Sequence, residues 1–243
     1  MIIDFFRQLI FIHIPKTGGT AIHEWLTEQY VKSTATTDTP IVNLWGFQNG
    51  LDLAHLTLYQ AQSIISDFPI KFIKIAVVRS PYDRIYSAYQ QPYLQKYPKL
   101  TFVEFLDRFV GQIKDKRIEY DQTKIDPELI HIWPMCSFIT INGNNSVDFV
   151  VRFEDWDRDI DYLRSRFKLT GRPPVLNQST KCPGFATQNQ STKCPGFATQ
   201  NATQNQSTKC RQSRYLSKYT PEQIQLINQV YQDDFEWFSY EKI

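Results

Sequence analysis

The sequence predicts one α/β domain, a mostly parallel sheet flanked by helices with its functional edge at the carboxyl ends of the strands. Three observations carry that prediction. Two apolar runs, Leu9 to Ile14 and Lys71 to Val78, have the length and branching of buried strands. Each is followed at once by a loop and then by a helix start, the alternation that a crossover unit needs. The chain has 243 residues, of which 42% are hydrophobic and 21% charged, enough for one full core.

Composition narrows the function mainly by exclusion. A formal charge of +2 is too small for net charge to drive nucleic-acid or membrane binding, so any anion recognition must be local. Met1 to Ile14 is apolar but carries Asp4 and Arg7, is too short to span a membrane and lacks a small-residue cleavage site. Three of the four cysteines, Cys182, Cys194 and Cys210, fall in a repeated segment, leaving Cys136. Neither a metal site nor a disulfide framework follows from that spacing.

The first strand ends in Pro15-Lys16-Thr17-Gly18-Gly19-Thr20, and a helix opens behind it with Ile22, Trp25, Leu26 and Tyr30 along one face. A glycine loop entering a helix N-terminus points free backbone N–H groups and the positive end of the helix dipole at one spot. Lys16 adds a positive charge there, and Thr17 and Thr20 add hydroxyls. Phosphate or sulfate suits such a place. A plain strand-to-helix turn is the simpler reading. A nucleotide P-loop requires the lysine after the glycines, whereas here it precedes both.

Val31 to Asn49 is polar and irregular, either a cleft-lining or a plain surface loop. Thr57-Leu58-Tyr59-Gln60 is a capping box that opens a helix with Leu58, Ala61 and Ile65 inward, which puts His55 on the loop just before it. The second strand delivers Arg79 to its end. Ser80 as N-cap, Pro81 at the first helical position and Asp83 in the first turn then start another helix. Ser87 follows about two turns beyond Arg79. A guanidinium fork and a hydroxyl both suit phosphate oxygens.

These two segments resemble, in order, the 5′-phosphosulfate loop and the 3′-phosphate motif V-R-x-P-x-D-R-x-x-S of sulfotransferases that use 3′-phosphoadenosine-5′-phosphosulfate (PAPS). The likeness is closest to the carbohydrate branch of that family, heparan/chondroitin-type and sulfotransferase family 2-like. The resemblance implies a three-layer fold related to P-loop kinases. It implies transfer of the sulfuryl group of PAPS, as co-substrate, to a hydroxyl of a carbohydrate or similar acceptor, with no metal. Residue by residue it makes Lys16, Thr17, Gly18, Gly19 and Thr20 the phosphosulfate ligands and Arg79 and Ser87 the 3′-phosphate ligands. It makes His55, in the segment between the motifs, the general base, with Lys16 neutralising the departing phosphate; His13, His23 and His131 do not occupy that place. Arg84 is expected to pair with a carboxylate near its helix. A nucleotide-dependent kinase and a non-catalytic anion-binding module are the alternatives. Neither nucleic acid nor a membrane span is expected. Taken as given the chain reads as cytoplasmic, or as Golgi-lumenal if an N-terminal anchor has been removed.

Downstream, Thr101 to Glu104 is a second capping box, opening a helix through Val110 with Phe102, Phe105, Leu106 and Phe109 in the core. Gly111 to Asp126 is charged and expected to face solvent, whereas Trp133, Met135 and Phe138 are expected inside. Phe138 to Ile141 and Val147 to Phe153 read as strands around the turn Asn142-Gly143-Asn144-Asn145. Asp155 then caps a helix with Trp156, Ile160, Leu163 and Phe167 inward. Thr220 caps another, with Ile224, Ile227, Val230 and Tyr231 inward, before the aromatic-acidic ending Tyr231 to Phe238.

Asn177 to Cys210 breaks this order. Twelve residues from Asn177 recur unchanged from Asn189, and the first six return at Asn205. Two polar copies are too few for a solenoid, so 177–204 is expected to be a flexible insertion within a single domain spanning 1–243. Its N-x-S/T sequons are by-products of the repetition.

Overall fold

Short apolar strands and capped helices alternate as the sequence requires. In the computed structural model, residues 1–33, 41–91, 100–114, 129–176, 213 and 215–243 are described. The repeat at 177–204 and most of the basic stretch behind it lie outside them. In chain order the elements are β1 (Ile2–Asp4), β2 (Leu9–Ile12), α1 (Gly19–Ser33), β3 (Ile41–Asn43), a hairpin of β4 (Phe47–Gln48) and β5 (Leu51–Asp52), α2 (Leu58–Ile64), β6 (Ile73–Val78) and α3 (Pro81–Tyr89). Next, α4 (Phe102–Phe105) runs through a π turn, Leu106–Val110, into α5 (Gly111–Lys114). Then follow α6 (Cys136–Ile139), a hairpin of β7 (Thr140–Ile141) and β8 (Asn144–Asn145), β9 (Phe149–Arg152), α7 (Trp156–Phe167), α8 (Pro221–Val230) and α9 (Gln232–Trp237).

The main sheet has the order β3-β1-β2-β6-β9. β2 pairs parallel with β6, and β6 parallel with β9, while β1 is antiparallel to both of its neighbours. Four strands therefore run one way and β1 alone runs against them. Alternation along the strands divides the core in two. Ile10, Ile12, Ala76 and Val78 face a layer containing Leu58, Ala61, Tyr82, Ile85, Phe105, Phe138, Ile227 and Phe235. Leu9, Phe11, Ile75, Val77 and Val151 face Ile22, Trp25 and Leu26 of α1 and Ile160, Leu163 and Phe167 of α7. The fold is thus a helix–sheet–helix α/β sandwich with a mixed sheet.

Helix starts at Thr57, Thr101 and Thr220 carry both bonds of the capping box. Ser80 and Asp155 hold N-cap positions, but neither side chain makes a capping bond. The Ser80 N–H instead donates to Glu154 Oε1 at 2.7 Å. The strand expected over Phe138 to Ile141 is helical as far as Ile139. Its cause is remote: the buried Asp234 carboxylate accepts from the N–H groups of Met135 (2.9 Å) and Cys136 (2.8 Å), anchoring that helical turn. The Asn142-Gly143 turn has both residues at positive φ, as a two-residue hairpin demands.

Candidate functional site

Two parallel neighbours, β2 and β6, end at the same edge of the sheet, with Ile12 opposite Ala76. The chain leaving β2 forms the loop 13–18 and that leaving β6 presents Arg79, so Lys16 and Arg79 come to one side. Their like charges are felt: burial, then Arg79, then Arg84 lower the Lys16 ammonium to about 8. The Lys16 ammonium donates to the amide oxygen of Gln91, a neutral partner.

The loop is shaped by close approaches. Gly18 has φ +90°, and a Cβ there would meet the Phe153 ring at 3.0 Å. A Cβ on Gly19 would lie 2.2 Å from the His13 ring, so only glycine lets α1 begin so near that side chain. The Thr17 hydroxyl turns inward and donates to the Ile14 carbonyl at 2.8 Å, bracing the loop. Thr20, in the first turn of α1, stays partly exposed.

Arg79 is buried, with Nε lacking a hydrogen-bond partner and the guanidinium carbon 4.5 Å from the centre of the Phe153 ring. Ser87 lies partly exposed on α3. Arg84 is fully buried; its Nε donates to the Pro15 carbonyl at 3.0 Å, linking α3 to the loop, while both Nη atoms are without hydrogen-bond partners. Asp234 attracts it electrostatically, and burial opposes charge on both groups. Asp83 accepts from the Ser213 hydroxyl, and the Tyr215 and Tyr86 rings stack at 4.5 Å, tying the segment before α8 onto α3.

His55 ends a 3-10 turn, Leu53–His55, whose Asp52 cap accepts from the Ala54 N–H at 3.0 Å. Its Nδ1 lies 2.9 Å from the His13 carbonyl, which can only accept, so Nδ1 carries the proton and Nε2 the lone pair. Burial lowers its pKa below that of an ordinary histidine, outweighing the nearby Asp52 carboxylate. A neutral imidazole with its lone pair on Nε2 has the protonation state that general-base chemistry requires.

Position in the sequence does not single out the other histidines, yet all four in the chain gather here. The His13 ring lies 4.5 Å from that of His55 and 6.4 Å from that of His23, and His131 meets His55 edge-on at 5.3 Å. Trp45, half exposed, packs on His23 at 4.2 Å and His13 at 5.9 Å. Burial is the largest cause holding His13 and His131 well below the ordinary value. These contacts, with Gln91 and Phe153, join residues far apart in the chain, and no local pattern announces them. Among the described residues no group of three or more His, Cys, Asp or Glu side chains could hold a metal ion, and no helix is long and apolar enough to cross a membrane.

A family model described as "Sulfotransferase family" matches residues 1–241. No curated protein and no solved structure matches the chain.

Proposed function

The chain belongs to the sulfotransferase family, and from that premise we propose that it is a PAPS-dependent enzyme sulfating a hydroxyl of a carbohydrate or similar acceptor. The observation that carries the reading is the meeting of the glycine loop, Lys16 and Arg79 at one strand edge, with His55 reaching the same loop through the His13 carbonyl. The residues fit a nucleotide bearing phosphates at both ends. Buried Arg79 has an unpartnered Nε, and the Lys16 ammonium has a neutral partner that an anion can displace.

PAPS supplies a sulfuryl group already activated on a phosphate. The loop N–H groups and the Thr20 hydroxyl orient it, and the Lys16 ammonium stabilises charge growing on the departing phosphate oxygen. His55 Nε2 accepts the acceptor hydroxyl's proton while His13 holds Nδ1. Arg79 and Ser87 hold the 3′-phosphate. Catalysis of this kind is mostly positioning and charge stabilisation along an in-line path, as in phosphoryl transfer.

Calorimetry tests the nucleotide assignment. Arg79→Ala is expected to weaken adenosine 3′,5′-bisphosphate by about 1.5–3 kcal/mol, the value of a charge-assisted bond. Adenosine 5′-phosphosulfate, without a 3′-phosphate, should lose little. Equal loss for both ligands would make Arg79 structural.

The pH dependence of kcat/KM, which reports the free enzyme, follows from the two shifted groups. On the acid side activity fails when His55 gains a proton, and because its pKa is lowered that limb should lie below pH 6.5. On the alkaline side Lys16 loses its charge, so a decline should set in near pH 8. An acid limb above pH 6.5 would contradict a desolvated His55.

A further inference from the structure

Phe153 lies outside both cofactor motifs, and we propose that it is a positioning residue coupling them, so that the glycine loop and Arg79 are held as one nucleotide site. One face of its ring lies under the Arg79 guanidinium at 4.5 Å. The ring's Cδ2 and Cε2 also lie 3.0 Å from where a Gly18 Cβ would be, so the same side chain touches both halves of the site. Trp156 backs it edge-on, with centroids 5.9 Å apart, and sits 3.4 Å from the same Gly18 position.

The ring's backbone is clamped on both sides. Before it, the Arg152 N–H donates to Asp159 at 2.8 Å, and the Arg152 guanidinium donates to the Phe238 carbonyl. After it, the Glu154 carboxylate accepts from the Ser80 N–H at 2.7 Å and the Tyr240 hydroxyl at 2.8 Å. The Ser80 bond also fixes the residue that follows Arg79.

The chemistry explains why an aromatic ring suits this place. A carboxylate could orient Arg79 as firmly, but it would neutralise the guanidinium and occupy its N–H groups. A ring face attracts the cation while leaving its edge to an anion. The buried, unpartnered Nε of Arg79 agrees with an arginine held by its face rather than by its donors.

This inference rests on the nucleotide reading of the site, and the test separates the two. Affinities for adenosine 3′,5′-bisphosphate and adenosine 5′-phosphosulfate are measured by calorimetry in the full chain, with Arg79→Ala as reference. Phe153→Ala should weaken both ligands about tenfold, since both contacts go. Phe153→Leu keeps apolar volume against Gly18 without the π face, so it should lose the bisphosphate about tenfold and largely keep the phosphosulfate. Phe153→Tyr should bind both like the wild type. Should the alanine variant fail to fold, leucine and tyrosine still decide the matter. The inference falls, with the nucleotide reading intact, if Phe153→Leu binds the bisphosphate normally or Phe153→Tyr loses it. If the wild type binds neither ligand, the nucleotide reading fails and takes this inference with it; if Arg79→Ala weakens both equally, Arg79 is structural and the coupling through Phe153 falls.

Discussion

Replacing His55 with alanine is expected to lower sulfuryl transfer by about 10²–10⁴-fold, the usual contribution of a positioned general base. Nucleotide affinity should hardly change. The expectation rests on geometry: Nδ1 is anchored to the His13 carbonyl, so the opposite nitrogen carries the lone pair. Burial keeps the ring neutral, and the N-terminal ammonium and Arg84 add to that. Single-turnover assays with saturating PAPS separate chemistry from binding. Unchanged turnover would remove His55 from the mechanism, and a matching loss of nucleotide affinity would make it a cofactor ligand instead.

The largest stability effect is expected at Asp234, far from the motifs in sequence. Its carboxylate is fully buried, accepts the N–H groups of Met135 and Cys136, and is the principal attraction on the Arg84 charge. Asp234→Ala leaves two buried backbone donors without their acceptor and removes the principal favourable charge acting on Arg84. A buried donor left unsatisfied costs about 1–3 kcal/mol. Asp234→Asn, which can still accept from a backbone N–H, should cost less. Urea denaturation measures both. A loss below about 1 kcal/mol for the alanine variant would mean that solvent reaches the two freed N–H groups.

Features set by neighbours in sequence were legible. The capping boxes at Thr57, Thr101 and Thr220 need only a hydroxyl and a glutamine or glutamate three residues on, and all three form. The strands at 9–12 and 73–78 and the Asn142-Gly143 turn were likewise local signals. Features set across the fold were not. β1 and β3 are three residues each and owe their strand state to pairing with each other and with β2. Phe138 and Ile139 have strand propensity, but the Asp234 carboxylate from the chain's far end holds the helical turn before them. At the site, the motifs pointed to Lys16, Arg79 and the glycines. The ring under Arg79 and the imidazoles around His55 arrive from other elements, so only the folded chain brings them together. The inward-turned Thr17 hydroxyl shows the same limit, since a hydroxyl in a loop motif can serve the loop itself.

The central claim is tested most directly by incubating the protein with PAPS carrying labelled sulfur and a broad panel of glycans and small alcohols. The proposed chemistry predicts label on at least one hydroxyl-bearing acceptor, lost in His55→Ala and matched mole for mole by adenosine 3′,5′-bisphosphate. Tight PAPS binding with no labelled product on any acceptor, or phosphate transfer from ATP instead, would contradict it.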